Sequence, residues 1–587
     1  MPRIKLLPLC FATLISAIWV FGQAAANKPL PLERHGNLHL AIADLRCLIP
    51  QLMKQARVPG LQIALIRGGK IVWHQNFGVR NIKTGQPVTD ETVFEAASLT
   101  KPFFAFYVMK LAEQGVINLD KPLFSYLPRE FMEQRLGLSL EEKGFHRDWF
   151  EEITARHVLS HSSGMPHGER SNPYPLFFEP GTQWKYSADG YFFLQQVVEK
   201  LRGDRLENLM QRDVLIPLSM KKSRLVWNDE YEQTMASGHG FFGRPEEFRK
   251  RREAHAAATL YTTAEDYAKF VCAVLNGKGL RLGTLKEMLT LQIDMNKERG
   301  LGWSLGFGTQ NDSNGTAIWQ WGDYGIFRNY ILAYPKEKTA VVYLTNSAYG
   351  LGICPDVVSH SVGGQALGCL ELKYLHYYSP FYLFAWDMAE KGPESVNQLP
   401  DLKRRYPDVF SKDSLSTLVE IFQGENMMPH VIALLEFNLK EHPQSGSSLL
   451  DLAKAFFQVG DMKSARLYIE KAREAKEDKV AQAVIDWSLE NIKALDHPEK
   501  LEEEDMKKLA GDYGARHIQW RDGHLYYRRE GGTYPVYKLL TPMSKDTFIL
   551  EGVLDFRLKI EFDEKGNPVK AVGISEDGSR DETLRNK

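Results

Sequence analysis

The chain has 587 residues, of which 43% are hydrophobic and 25% are charged, and its formal net charge is -1. This length exceeds one ordinary domain, so we expect two to four, and the composition is that of a folded globular protein. The balanced charge excludes the basic excess typical of nucleic-acid-binding proteins and the acidic excess of a disordered tail, so no nucleic-acid partner is expected.

The N-terminus has the pattern of a secretory signal. Arg3 and Lys5 precede an apolar run over 6–21, and the alanines at 24–26 offer a small-residue cleavage site. We therefore expect residues 1–26 to be a signal peptide and the protein to be exported, either periplasmic or secreted. An uncleaved anchor is the alternative. No later segment approaches the roughly 18–20 apolar residues that span a bilayer, so no stable membrane span is expected after cleavage.

The cysteines do not indicate a disulfide scaffold. Removal of the signal peptide would leave four of the five cysteines, too few to staple a chain of this size. Cys354 and Cys369 are close enough in sequence to pair in an oxidising compartment, and separate buried thiols are equally compatible with this spacing. No cysteine–histidine spacing indicates zinc, so no metal site is expected.

Residues 38–380 are predicted to form one large α+β domain. It begins with a helix-like stretch at 41–56 and a hairpin of strands 61–66 and 70–77 around a Gly-Gly turn. A large, mainly helical insert follows, up to about residue 275. Strand-like runs then return at 302–307, 330–334 and 339–344. We expect an antiparallel sheet, flanked by helices, that these distant segments complete.

The pattern changes after residue 400. The segment 400–498 is predicted to be helical, and 447–477 resembles one tetratricopeptide unit, which would offer a surface for a protein partner. A plain helical linker is the alternative, because fewer than three such repeats rarely stand alone. Residues 505–587 contain short strands with polar turns and predict a small all-β domain, either a sandwich or barrel-like.

The most informative motif is Ser98-Leu99-Thr100-Lys101. A lysine three positions after a serine lies on the same helical face. If its amine is partly desolvated, its pKa falls and the neutral form can accept the proton of the serine hydroxyl. The same spacing recurs in Ser219-Met220-Lys221-Lys222, within a basic and exposed turn, and we interpret that second match as chance. The first match therefore needs partners before it indicates catalysis.

Three later segments supply candidate partners. His161 lies in a small, glycine-bounded polar loop, where a bracing role is favoured over a catalytic one. Tyr186 precedes Ser187, and a tyrosine beside a lysine ammonium can have a lowered pKa and relay a proton. The stretch 319–325 is a glycine-interrupted strand edge that could supply N–H donors to an oxyanion, with an aromatic core strand as the alternative.

Together these segments resemble the serine β-lactamase-related hydrolases, which include class C β-lactamases, DD-peptidases and esterases. The ordered matches, over residues 38 to about 350, are Ser98-Leu99-Thr100-Lys101, the loop 159–164, Pro180-Gly181-Thr182 before Tyr186-Ser187, Leu301-Gly302-Trp303 and Thr345-Asn346. The resemblance implies a β-lactamase/DD-peptidase-like fold and a serine hydrolase that acts on a small-molecule or peptide substrate. It implies no metal and no organic cofactor.

The resemblance also assigns roles by position. Ser98 would be acylated, Lys101 would take its proton, and Tyr186 would share the acid and base work. The backbone N–H groups of Ser98 and Asp323 would form the oxyanion hole.

Two positions expected to bind substrate depart from the family pattern. Ala188 stands where the family has asparagine, and a methyl group cannot donate to a substrate amide or hold the lysine. The third motif usually begins with lysine or histidine, but here it is Gln320-Trp321-Gly322, or Trp321-Gly322-Asp323 if shifted by one residue. The missing cation helps recognise a substrate carboxylate, a contact worth roughly 1.5–3 kcal/mol. Arg328 could compensate if its side chain faces the site.

The leading hypothesis is an exported serine hydrolase that forms an acyl-enzyme on Ser98 and hydrolyses an ester or amide, without being an efficient β-lactamase. One alternative is a penicillin-binding DD-peptidase or weak β-lactamase. The other is a binding protein of the same fold that has lost its activity.

Overall fold

The computed structural model describes residues 38–131, 141–168, 174–374, 376–410, 412–530, 534 and 536–586. The predicted signal peptide, residues 1–26, lies outside the described residues. The chain divides into two compact units. The first holds the described residues up to 248 together with 252–377, and the second holds 249–251 together with the residues from 378 onward. The domain limits given above stay predictions.

The first unit is built on a nine-stranded antiparallel sheet with the spatial order β3-β2-β1-β11-β10-β9-β8-β7-β6, while β4 pairs with β5. The strands are β1 (Gly60–Arg67), β2 (Lys70–Asn81), β3 (Gln86–Pro87), β4 (Phe94–Glu95), β5 (Tyr261–Thr262), β6 (Ile293–Asn296), β7 (Leu301–Trp303), β8 (Gly308–Asp312), β9 (Gly315–Asp323), β10 (Arg328–Tyr334) and β11 (Thr339–Thr345).

Distant parts of the sequence meet at the centre of this sheet. Leu61 of β1 lies opposite Thr345 of β11, so the N-terminal hairpin is completed by the last strands of the unit. Both strands are almost continuously apolar and buried, as expected of central strands that are covered on both faces. The predicted α+β class, with a sheet completed by distant segments, is confirmed.

Helices cover the sheet and form the insert between β4 and β6. They are α1 (Leu38–Gln55), α2 (Thr100–Glu113), α3 (Arg147–Glu151), α4 (Ala155–Leu159), α5 (Asp189–Arg202), α6 (Leu206–Met210), α7 (Ala264–Asn276), α8 (Leu282–Leu289), α9 (Cys354–Ser361) and α10 (Leu367–Glu371). Helices α5 and α7 both end at a left-handed glycine, Gly203 and Gly277, as sequence capping rules favour.

One strand is shorter than its apolar pattern predicts. The run 302–307 was expected to be extended, but β7 ends at Trp303. Gly306 has a φ of 103°, and its N–H donates to the carbonyl of Leu159. A β-carbon at Gly306 would lie 2.4 Å from that of Ala105, so the chain turns here to pack closely on α2.

The second unit contains helices followed by an all-β region. The helices are α11 (Pro380–Lys391), α12 (Leu399–Arg405), α13 (Lys412–Gly424), α14 (Met428–Glu441), α15 (Gly446–Gln458), α16 (Met462–Arg473), α17 (Gln482–Asp496) and α18 (Glu503–Leu509). Helices α15 and α16 pack on each other through Ala453, Phe457, Ala465 and Ile469. Whether this pair is a tetratricopeptide-like unit stays a prediction.

The all-β region is an eight-stranded antiparallel meander in which each strand pairs with the next. Its strands are β12 (Gly511–Tyr513), β13 (Arg516–Arg521), β14 (His524–Arg529), β15 (Lys538–Pro542), β16 (Thr547–Leu550), β17 (Phe556–Phe562), β18 (Pro568–Ser575) and β19 (Arg580–Leu584). The two ends approach each other, because the buried Arg516 donates to Thr583 Oγ1 at 2.8 Å. The predicted small β region is therefore a nearly closed barrel.

Candidate active site

Ser98 lies in the short loop between β4 and α2, and the loop is held by interlocking hydrogen bonds. The Ala96 N–H donates to the carbonyl of Leu260 at 2.8 Å, and Thr100 Oγ1 accepts from the Leu260 N–H at 3.0 Å. Ala97 has a φ of 50°, which a residue with a side chain adopts only at a cost. Such strain persists where the surroundings enforce it, and here it presents Ser98 at the start of α2.

Lys101 stands one helical turn after Ser98, as the motif predicts. Its Nζ lies 3.1 Å from Ser98 Oγ and donates to the carbonyl of Ala257 at 3.0 Å. The residue is 1% exposed, and this burial lowers the pKa of the amine to about 7. A substantial neutral fraction is therefore present near neutral pH, as a base for the serine requires.

Tyr186 completes the polar centre. Its hydroxyl accepts from Gln320 Nε2 at 3.1 Å, and the Lys101 Nζ lies 4.5 Å from the centre of its ring. Burial raises the pKa of the phenol, against the smaller opposing effect of its hydrogen bonds with Ser98 and Gln320. The direction is opposite to the lowered pKa considered from the sequence. A raised pKa favours the neutral phenol, which can donate a proton.

Residues of the third motif contact the serine loop from β9. Gln320 is fully buried, and its Nε2 donates to both the Ser98 carbonyl and the Tyr186 hydroxyl, at 3.1 Å each. A β-carbon at Gly322 would lie 2.1 Å from the carbonyl oxygen of Ala96, so only glycine allows this approach. The stretch Gln320-Trp321-Gly322 therefore lies against the serine loop, with the Gln320 amide between Ser98 and Tyr186.

Trp321 contributes an aromatic wall. Its ring centre lies 4.5 Å from that of Tyr186. Within the described residues, the Gln320 Oε1 atom is buried without a hydrogen-bond partner. A neutral amide and an indole therefore lie beside Tyr186.

Asp323 and Arg328 form an ion pair at the end of the β9–β10 hairpin. The Arg328 Nε lies 3.2 Å from Asp323 Oδ1, and the guanidinium also donates to the carbonyl of Ala348. Tyr374 Oη donates to Asp323 Oδ2 at 2.6 Å. Arg328 therefore neutralises Asp323 instead of standing in for the missing cation at Gln320. The oxyanion-hole role of the Ser98 and Asp323 N–H groups stays a prediction.

Ala188 is the residue immediately before α5, and its methyl group packs against the hydrophobic core of the first unit. It makes no polar contact with Lys101. The carbonyl of Ala257 holds the lysine instead. Ala257 is the functional position that sequence reasoning missed. A backbone carbonyl in a loop 156 residues from the lysine leaves no signal in the side-chain pattern.

His161 lies fully buried behind Tyr186. Its Nδ1 accepts from the Ser187 N–H at 3.1 Å, and burial, with the nearby Lys101 and His167, holds its pKa well below the usual value. The imidazole is therefore neutral, and it contacts the Tyr186 ring.

The described cysteines are free thiols, and Cys354 and Cys369 are both buried. Across the described ranges, no group of three or more His, Cys, Asp or Glu side chains is placed to hold a metal ion. No helix in the described part of the chain is long and apolar enough to cross a membrane.

The sequence profile described as Beta-lactamase matches residues 45–353, which is more than half of the chain. Esterase EstB from Burkholderia gladioli is 26% identical over 375 residues, which cover 52% of this chain and 91% of the esterase. A penicillin-binding protein of Bacillus subtilis is 26% identical over 203 residues, covering 31% of this chain.

The coverage differs between relatives. The chain spans most of the esterase but only 41% of the Bacillus subtilis protein. Among solved structures, the octameric penicillin-binding protein homologue from Pyrococcus abyssi aligns with a TM-score of 0.46 at 18% identity. That alignment covers 93% of this chain and 100% of the other.

Proposed function

The chain belongs to the β-lactamase family, as its motifs predicted, and is a serine hydrolase; we propose that it forms an acyl-enzyme on Ser98 and hydrolyses an uncharged ester or amide. The observation that carries this proposal is the 3.1 Å contact between Ser98 Oγ and the buried Nζ of Lys101. When a neutral lysine amine contacts a serine hydroxyl, the amine can act as the general base that activates the serine as a nucleophile.

The proposed acylation begins with proton transfer. Neutral Lys101 takes the proton of the Ser98 hydroxyl as Oγ attacks the substrate carbonyl carbon. The resulting oxyanion would accept hydrogen bonds from the backbone N–H groups of Ser98 and Asp323. When the bond to the leaving group breaks, that group takes a proton from the Lys101 ammonium through the Tyr186 hydroxyl, which regains its own proton from the lysine.

Deacylation repeats these steps with water. A water molecule attacks the carbonyl carbon of the Ser98 ester and gives one proton to the Lys101–Tyr186 pair. The bond to Ser98 Oγ then breaks and the acid is released. Ser98 Oγ recovers its proton from the same pair. The charge state needed at both steps is a neutral lysine and a neutral phenol, the states that burial favours.

The substrate class follows from the residues around the serine. Gln320 offers a neutral amide and Trp321 an aromatic ring where a cation would bind a carboxylate, and Arg328 is engaged by Asp323. We infer that substrates without a carboxylate next to the scissile bond are preferred. The esterase relative supports an ester in particular. Export to the periplasm or medium, expected from residues 1–26, stays part of the proposal, as does a protein partner at the helical segment.

Turnover of a nitrophenyl butyrate ester tests the function. The purified chain should hydrolyse the ester, and mass spectrometry after rapid quenching should detect one added acyl group. Ser98→Ala should lack both signals. Absence of turnover in the wild type would favour the inactive binding protein.

Fluorescent penicillin distinguishes the remaining alternative. We expect little labelling at drug concentrations that saturate a penicillin-binding protein, since the carboxylate contact is missing. Strong labelling at Ser98 would identify a DD-peptidase or weak β-lactamase instead.

A further inference from the structure

The group most closely tied to Tyr186, and not used by the proposed mechanism, is His161. It is 0% exposed and has a φ of 56°, a conformation in which side chains other than asparagine, aspartate and histidine are rare. A buried, polar, left-handed residue at a site is held there by specific contacts. The His161 N–H donates to the carbonyl of Val158 at 3.1 Å, and its other hydrogen bonds go to the chain around Tyr186.

His161 binds the residues on both sides of Tyr186. Its carbonyl oxygen accepts from the Lys185 N–H at 2.9 Å, and its ring Nδ1 accepts from the Ser187 N–H at 3.1 Å. The imidazole also packs on the phenol ring, with 4.2 Å between ring centres. One residue therefore holds the backbone N–H of each neighbour of Tyr186 and also contacts the Tyr186 ring.

The hydrogen bond also defines the tautomer. Because Nδ1 accepts an N–H, the ring proton resides on Nε2. Within the described residues, Nε2 has no hydrogen-bond partner, and the imidazole meets the Trp303 ring edge-on at 5.0 Å. An aromatic ring can receive such an N–H weakly. The arrangement suits a neutral, immobile imidazole rather than one that exchanges protons with the substrate.

We propose that His161 is a positioning residue that fixes the Tyr186 hydroxyl against Ser98 and Gln320, acting through the peptide groups of Lys185 and Ser187. The inference rests on the proposed function, since the position of Tyr186 matters to rate only if its hydroxyl relays a proton. A misplacement of about 1 Å in such a group costs on the order of a hundredfold in rate.

Two variants distinguish the effect of the Nδ1 hydrogen-bond acceptor of His161 from the effect of its aromatic ring. His161→Asn places an amide oxygen near the position of Nδ1, and asparagine tolerates the positive φ. His161→Phe keeps an aromatic ring but removes the acceptor for the Ser187 N–H. We expect kcat for the nitrophenyl ester to stay within about threefold of wild type in His161→Asn and to fall ten- to a hundredfold in His161→Phe, with little change in KM.

Hydrogen exchange provides a readout independent of activity. The backbone amide hydrogens around Ser187 should exchange slowly in the wild type and in His161→Asn, and faster in His161→Phe. Circular dichroism should show that both variants are folded. Equal kcat and equal exchange in all three proteins would overturn the proposal, and so would equal losses in both variants. If the wild type hydrolyses no ester, the proposed function fails, and the exchange comparison alone then decides whether His161 holds this segment.

Discussion

Two segments of the first unit share the serine-x-x-lysine spacing, yet their surroundings differ completely. Lys101 is 1% exposed, and its Nζ contacts the Ser98 hydroxyl and the Ala257 carbonyl, both uncharged. Lys222 has a quarter of its side chain exposed, and its Nζ lies 2.7 Å from a carboxylate oxygen of Glu91. Ser219 is exposed in a turn.

The difference shows what the motif does and does not encode. The spacing brings a lysine near a serine only where a helix begins at that point, and α2 begins at Thr100. A lysine becomes a base only when its ammonium is desolvated without a carboxylate to stabilise the charge. Lys222 is partly exposed and faces the Glu91 carboxylate, so the second segment is an internal control for the first.

The largest expected effect is loss of the nucleophile. Ser98→Ala should lower kcat/KM for the nitrophenyl ester by about 10⁴-fold or more, because it removes the oxygen that the proposed acylation requires. Ser219→Ala should leave it unchanged. A loss in Ser219→Ala comparable to that in Ser98→Ala would break the distinction between the two segments.

Loss of the base comes next. Lys101→Met removes the proton acceptor at nearly constant volume and should lower kcat by about 10²–10⁴-fold. Wild-type kcat/KM should rise with pH and level off above about 7, where the Lys101 amine is neutral. Lys222→Met should match wild type in rate and in pH profile. A wild-type profile that stays flat between pH 5 and 8 would argue against Lys101 as the base.

The same lysine should affect stability. Between pH 7 and the unfolded pKa of 10.5, the unfolded chain binds a proton on Lys101 that the folded chain does not. The free energy of unfolding therefore increases as pH rises in this range. The full cost of burying the charge is present below pH 7. From pH 7 to 9 the free energy of unfolding of wild type should therefore gain about 2–3 kcal/mol relative to Lys101→Met.

Urea denaturation at several pH values measures this gain. Lys222→Met, which removes a partly exposed lysine instead of a buried one, is the matched control. A constant difference between Lys101→Met and wild type would mean that the amine titrates alike in both states.

The smallest effect concerns specificity. Gln320→Lys restores a cation beside the serine and should raise penicillin acylation relative to ester turnover by about tenfold, the value of one charge-assisted contact. Gln320→Met, which removes the amide without adding charge, is the control. If both variants change the ratio equally, the charge at this position does not select the substrate.

Much of the fold was predictable because the central strands are apolar on both faces. Strands β1, β10 and β11 follow from such runs, whereas β2 is mostly half-exposed and extends to Asn81, past the predicted end at residue 77. The end of β7 was not predictable, since Trp303 and Phe307 are both apolar and only the packing of Gly306 on Ala105 turns the chain.

The candidate site was predictable where side chains carry the chemistry. Ser98, Lys101, Tyr186 and Gln320 are brought together as their motifs indicate. The carbonyl of Ala257 was not predictable, because every residue has one. The direction of the Tyr186 pKa depends on burial, which a motif does not report.

The central claim is that Ser98, and not its counterpart at 219, is the reactive serine. The most direct measurement is covalent labelling of the full chain with a fluorophosphonate probe, followed by proteolysis and mass spectrometry of the modified peptide. We expect one adduct per chain, on Ser98, formed faster as pH rises toward 8 and nearly absent in Lys101→Met. An adduct on another serine, or labelling as fast in Lys101→Met as in wild type, would contradict it.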